Sequence, residues 1–191
     1  SKGAEEIVLT QIKQDFITPA NAIFDYVDMV EKALNDAQLE STDEIAQIKS
    51  SCSKLIDQYD VAFVQNTGAN ADSSKKSPEE YSELRHNLRT PLNAIIGYSE
   101  ILMEDYEDDL DEDTLEDFQQ IINLARETET AIEKFVDFIR GEAVDIKDDN
   151  SSNQLQSAES LFKSLGEIDY SISLSDETVS YTHLRAHETL R

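Results

Sequence analysis

The stretch Arg85-His86-Asn87-Leu88-Arg89-Thr90-Pro91-Leu92-Asn93-Ala94-Ile95-Ile96-Gly97-Tyr98-Ser99-Glu100 carries most of what this chain says about itself. At about 100° per residue, Tyr81, Leu84, Leu88, Leu92, Ile95 and Leu102 fall in one narrow apolar stripe, the signature of an amphipathic helix. His86 then points roughly 160° away from the centre of that stripe. Thr90, Asn93 and Gly97 follow it on the same outward strip. The helix therefore presents a titratable imidazole to solvent, with a glycine nearby that leaves room for close approach. An isolated surface histidine is usually inert, so the residues around this one decide its meaning.

Working outward, the start of this helix is legible. Ser77 can cap it, Pro78 suits the first turn, and Glu80 completes a capping box. Three other helical patterns accompany it. One covers 4–35, with Ile12, Phe16, Ile23, Val27, Val30 and Leu34 at helical spacing. A second covers 42–65, with Ile45, Ile48, Cys52, Leu55, Tyr59 and Ala62 inward. The last covers 114–140, with Leu115, Phe118, Ile122, Ala125, Ile132, Phe135 and Ile139 inward and Gly141 as C-terminal cap. The polar run 66–76 reads as a flexible linker.

The chain also repeats itself. Ile17-Thr18-Pro19-Ala20-Asn21-Ala22-Ile23-Phe24-Asp25-Tyr26 aligns with Arg89-Thr90-Pro91-Leu92-Asn93-Ala94-Ile95-Ile96-Gly97-Tyr98 at an offset of 72. The second helical pattern tracks the fourth at an offset of 73. Two related helical hairpins follow from this. In the first, Gln14 takes the place of His86. Asp15 takes the place of Asn87, and Thr18 that of Thr90.

The residues from His86 through Leu88, Arg89, Thr90, Pro91 and Leu92 resemble the H-box of the dimerisation and phosphoacceptor domain of sensor histidine kinases, the HisKA family. The resemblance implies that His86 accepts a phosphoryl group and passes it to an aspartate on a response-regulator receiver domain. It implies that Thr90 orients water for phosphatase action. It also marks a departure: the family's acid directly after the histidine, assigned as the base for kinase action, is replaced by Asn87. Asn can orient an imidazole but cannot take its proton, so autophosphorylation is in question while transfer to and from a receiver is less affected. By the same resemblance the first hairpin is a degenerate copy.

The expected fold class is all-α: two antiparallel hairpins forming a four-helix bundle, with a flexible C-terminal tail. A hairpin of about 60 residues buries too little apolar surface to stand alone. The two could pack on each other as an intramolecular pseudo-dimer, or each could pair with its counterpart in a homodimer. A linker of about ten residues permits both. The expected organisation is a degenerate hairpin over 1–66, a linker over 67–76, the phosphoacceptor hairpin over 77–141, and a linker and tail over 142–191.

Composition narrows the rest. Five glycines, three prolines and no tryptophan in 191 residues favour helix over sheet. The single cysteine, Cys52, cannot form an internal disulfide and suits a cytoplasmic setting. No apolar run reaches the roughly 20 residues needed to span a bilayer, so no membrane insertion is expected. A formal net charge of −25 argues against nucleic acid as a partner. The glycines are scattered and form no phosphate-binding loop, so ATP and Mg would come only through a separate or missing kinase domain. No cofactor or metal is expected in this chain. The ten acids within 104–117 lack the spacing and central glycine of an EF-hand and read as a solvated loop. His183 and His187 have a metal-like spacing without a third ligand.

The last fifty residues change character, with a polar segment over 145–157 and a short helical pattern near 156–165. Residues 179–191 resemble translated sequencing-adapter sequence, which implies that the natural chain continued past about residue 178; the alternative is a genuine tail. Two functional readings stay open. One is a phosphoacceptor and phosphotransfer module of a two-component phosphorelay, with self-association, a receiver domain and an ATP-binding kinase domain as partners. The other is a non-catalytic helical dimerisation or signal-transmission bundle that keeps the H-box for packing.

Overall fold

The computed structural model describes residues 2–68, 71 and 76–142. Most of the expected linker over 67–76, the segments over 145–157 and 156–165, and the tail with His183 and His187 lie outside the described residues. Four helices make up the fold: α1 (Lys2–Asp36), α2 (Thr42–Asn66), α3 (Pro78–Asp105) and α4 (Glu112–Arg140). No strand occurs among the described residues.

The helix ends follow local chemistry. At the start of α3 the Ser77 hydroxyl accepts from the Glu80 N–H (3.2 Å), and the Glu80 carboxylate accepts from the Ser77 N–H (2.6 Å). The capping box read from the sequence is therefore formed. Helix α4 starts slightly earlier than its hydrophobic pattern, because the Asp111 carboxylate caps it by accepting from the Thr114 N–H at 2.8 Å. Those contacts with Thr114, side chain first and backbone second, hold the Asp111 carboxyl below its ordinary range. Gly141 ends α4 in the left-handed region (φ 76°), and the Glu142 N–H reaches back to the Asp137 carbonyl at 3.1 Å. Helix α1 ends with the same hydrogen-bond pattern built on a non-glycine residue. Gln38 takes φ 58°, and the Leu39 N–H donates to the Leu34 carbonyl at 2.9 Å.

The four helices pack as one bundle within one chain. Helix α1 lies along α4 and α2 lies along α3, while each hairpin also packs within itself. This is the pairing an approximate twofold axis would give, since exchanging α1 with α3 and α2 with α4 preserves every neighbour. The repeat in the sequence is matched by burial. Phe16, Ala20, Ile23 and Val30 are buried in α1, as are Leu88, Leu92, Ile95 and Leu102 in α3. Ile45, Ile48, Cys52, Tyr59 and Ala62 in α2 correspond likewise to Phe118, Ile121, Ala125, Ile132 and Phe135 in α4. Pro19 and Pro91 are also buried at equivalent places, and both helices run through them unbroken.

An aromatic joint ties the hairpins together. The Phe16 and Tyr59 rings stack with centroids 3.6 Å apart, and Phe135 leans on Tyr59 at 5.0 Å and on Phe63 at 5.8 Å. These rings come from α1, α2 and α4, so no single hairpin can form the joint. At the opposite end the Tyr106 hydroxyl donates to the Glu40 carbonyl, linking the two hairpin connections.

All the core positions expected in α1 and α2 are buried. In α4, Leu115 and Ile139 are only half-buried, while Thr114, Ile121, Thr128, Ala131 and Val136 are buried as well. The reason is that α4 faces both α1 and α3, so its buried arc is wider than a single stripe. Tyr81 and Leu84, near the end of the bundle, are half-buried.

Candidate functional site

Helix α3 turns its apolar stripe into the bundle and leaves His86, Thr90 and Asn93 exposed, with Gly97 half-buried below them. The register is fixed by Leu88, Leu92 and Ile95, all at most 1% exposed, so the imidazole cannot rotate inward without emptying the core. His86 borders a shallow depression whose other walls are Pro78, Glu79, Ser82 and Glu83. The Thr90 hydroxyl donates to the His86 carbonyl at 2.9 Å, which leaves its oxygen lone pairs facing outward as acceptors. Pro91 has no N–H to return to the carbonyl of Asn87, one helical turn earlier, so the backbone beside the histidine loses one internal tie.

Asn87 is directed elsewhere. It lines a groove of about 330 Å³ between α3 and α2, together with Leu84 and Leu88 and, from the first hairpin, Asp57, Gln58 and Val61. The structure thus brings His86 and Thr90 onto one strip and turns Asn87 toward the neighbouring hairpin. One of its lining side chains, Val61, is apolar and 56% exposed.

On the other side of His86, two arginines lock α3 to α4. The Arg85 Nε lies 2.7 Å from the Glu133 carboxylate and its Nη2 lies 3.9 Å from Asp137. Arg89 reaches Glu129 at 2.6 Å through Nη2 and 2.9 Å through Nε, and Glu133 at 3.5 Å. The pairs are partly exposed, so each contributes a fraction of about 1 kcal/mol. Their main effect is to fix the height of α4 beside the histidine. Sequence reasoning missed this ladder. Its signal was present in the four-residue spacing of Arg85 and Arg89 and of Glu129, Glu133 and Asp137. Further up, the Tyr81 hydroxyl donates to the Ile139 carbonyl at 3.3 Å and the Arg140 guanidinium lies 5.8 Å from the Tyr81 ring centre.

The equivalent face of the first hairpin is also turned outward. Gln14 and Thr18 are exposed, and half-buried Asp15 accepts from the Gln11 amide at 2.7 Å. That face holds an acid and a hydroxyl but no nucleophile. Elsewhere, burial pushes the Cys52 thiol up to about 12, which removes it as a nucleophile near neutral pH. Among the described residues no group of three or more His, Cys, Asp and Glu side chains could hold a metal ion, and no helix is long and apolar enough to cross a membrane.

Comparison with known families bears on the second hairpin. Residues 80–144 match the family model of the His Kinase A (phospho-acceptor) domain. The match supports a HisKA-type phosphoacceptor and dimerisation domain in this part of the chain, about a third of its length, and with it a link to histidine kinases of two-component signalling. No curated protein and no solved structure matches the chain.

Proposed function

We propose, from the HisKA-type domain at residues 80–144, that the chain is a phosphoacceptor and phosphotransfer module in which His86 receives a phosphoryl group and passes it to the aspartate of a receiver domain. The observation that carries this reading is the exposure of His86 and Thr90 on a helix whose opposite face is held in the core. A nucleophile on a rigid element and open to solvent suits a reaction in which a partner brings the phosphoryl group and the charge stabilisation.

The transfer is an in-line displacement. A ring nitrogen of neutral imidazole attacks the phosphorus of the receiver's aspartyl phosphate and forms an N–P bond. The P–O bond breaks, and its electron pair leaves on the aspartate carboxylate. The reverse sequence hands the group onward. Asn87 cannot take a proton from the ring, which weighs against a gain of phosphate directly from ATP and leaves exchange with an acyl phosphate as the better-suited chemistry. ATP and Mg would enter only through a kinase domain outside these helices. Thr90, with its hydroxyl oxygen outward, is the residue proposed to orient water for hydrolysis of the phosphohistidine. A cytoplasmic location is part of the same proposal, since receiver domains and ATP are found there.

The second reading, a signal-transmitting bundle with a relic H-box, draws on Asn87 and on Gln14 in the first hairpin. The two part on one experiment. Incubated with a receiver domain carrying labelled aspartyl phosphate, the chain is expected to acquire an acid-labile, alkali-stable label that the His86→Ala variant lacks. Equal labelling of both proteins, or of neither, leaves the relic reading standing.

A further inference from the structure

We propose that Glu83 is a positioning residue for His86, its carboxylate standing in for the acid that position 87 lacks; the inference rests on the phosphoacceptor reading above. Glu83 and His86 border the same depression on the outer face of α3, whereas Asn87 borders the groove toward α2. Residues three apart on a helix have Cβ atoms about 5–6 Å from one another. Helical side chains also lean toward the N-terminus of their helix, so the His86 ring covers the turn that bears Glu83 rather than the turn after it. Of the acids that open α3, Glu80 is committed to the Ser77 N–H through the capping box. Glu83 is exposed and makes no ion pair among the described residues, and Glu79 lies one turn further from the ring.

The charged groups on the other sides are occupied or turned away. Glu129, Glu133 and Asp137 of α4 are taken by Arg85 and Arg89. Asp57 of α2 lies in the groove on the Asn87 side. Glu83 is therefore the carboxylate best placed to accept a hydrogen bond from the ring nitrogen nearer the backbone, Nδ1. That bond selects the tautomer with its proton on Nδ1 and a lone pair on Nε2. When Nε2 attacks the phosphorus of an acyl phosphate, the N–P bond forms and the P–O bond breaks with its electrons on the leaving carboxylate. The Nδ1 proton moves onto Glu83, and the ring ends neutral.

The test uses the full chain and two readouts. Nitrogen NMR of His86, assigned with His86→Ala, reports the tautomer. Potassium phosphoramidate as the donor reports the phosphorylation rate at His86, resolved from His183 and His187 as internal references. The wild type is expected to favour the Nδ1–H form. Glu83→Gln is expected to shift the ring toward Nε2–H and to slow labelling of His86 at least about tenfold relative to the other histidines. An unchanged tautomer and an unchanged rate ratio in Glu83→Gln would overturn the proposal. If the tautomer responds but no receiver phosphate ever reaches His86, the pairing stands and the phosphotransfer reading falls.

Discussion

The two hairpins share a core and differ on their outer faces. Most buried positions of α1 recur in α3 and those of α2 recur in α4, with Phe16 answering to Leu88 and Tyr59 to Ile132. The outer strip repeats only in part: Gln14 and Asp15 stand where the second hairpin has His86 and Asn87, while Thr18 keeps the place of Thr90. The contacts beside the strip differ too. Arg85 and Arg89 tie α3 to α4 through carboxylates, whereas at the matching places Lys13 lies 5.3 Å from the centre of the Phe63 ring and Ile17 packs against the core. The difference teaches that the two hairpins share the work of the fold, whereas the chemistry proposed for His86 has a place only in the second. A bundle needs four apolar faces but only one nucleophile.

The strongest way to break this comparison is to separate the hairpins. Phe135→Ala removes a ring of the joint shared by α1, α2 and α4 and is expected to cost about 3–5 kcal/mol. Thermal unfolding followed by circular dichroism should remain a single transition at lower temperature, because the joint belongs to both hairpins. Two separate transitions would show that the hairpins fold independently.

A gain of function sharpens the comparison next. Gln14→His places an imidazole on the first face, beside Asp15 and Thr18. If the faces differ chiefly in the nucleophile, peptide mapping after exposure to a phosphorylated receiver should find phosphate at position 14 as well as at His86. Label confined to His86 would mean that the arginine ladder and the α2 groove are also required.

A smaller effect concerns the core. Ser99 is fully buried, its hydroxyl has no hydrogen-bond partner among the described residues, and the equivalent residue of the first hairpin is Val27. Ser99→Val should raise stability by about 1 kcal/mol in urea unfolding. Destabilisation would mean that the repeat does not extend to packing at this layer. The smallest expected change is at the end of α1, where Gln38 occupies the left-handed conformation that Gly141 takes at the end of α4. Gln38→Gly should stabilise by a few tenths to about 1 kcal/mol, because glycine adopts that conformation without strain.

Much of the fold was legible in the sequence because period 3.6 is a local signal. Ile12, Phe16, Ile23, Val27, Val30 and Leu34 announce the buried face of α1, and Ser77 with Glu80 announces the start of α3. What stayed open was pairing, since a linker of about ten residues lets a hairpin meet its own neighbour or another chain's. The structure packs α1 along α4 and α2 along α3 within one chain. The wider buried arc of α4 was hidden for the same reason: Ile121 and Val136 are core only because α4 has two neighbours. At the site, the outward placement of His86 and Thr90 was readable from helical angle, with Leu88 and Leu92 as the reference. The partners of Arg85 and Arg89 were harder to read, because the carboxylates that match their four-residue spacing lie on another helix some forty residues away.

The central claim is that the first hairpin takes the place of a second chain in the bundle. Sedimentation at low micromolar concentration, with helicity followed on dilution, tests it most directly. The account predicts a particle of one chain's mass whose helical signal does not change on dilution. A dimer that loses its helices as it is diluted would contradict it.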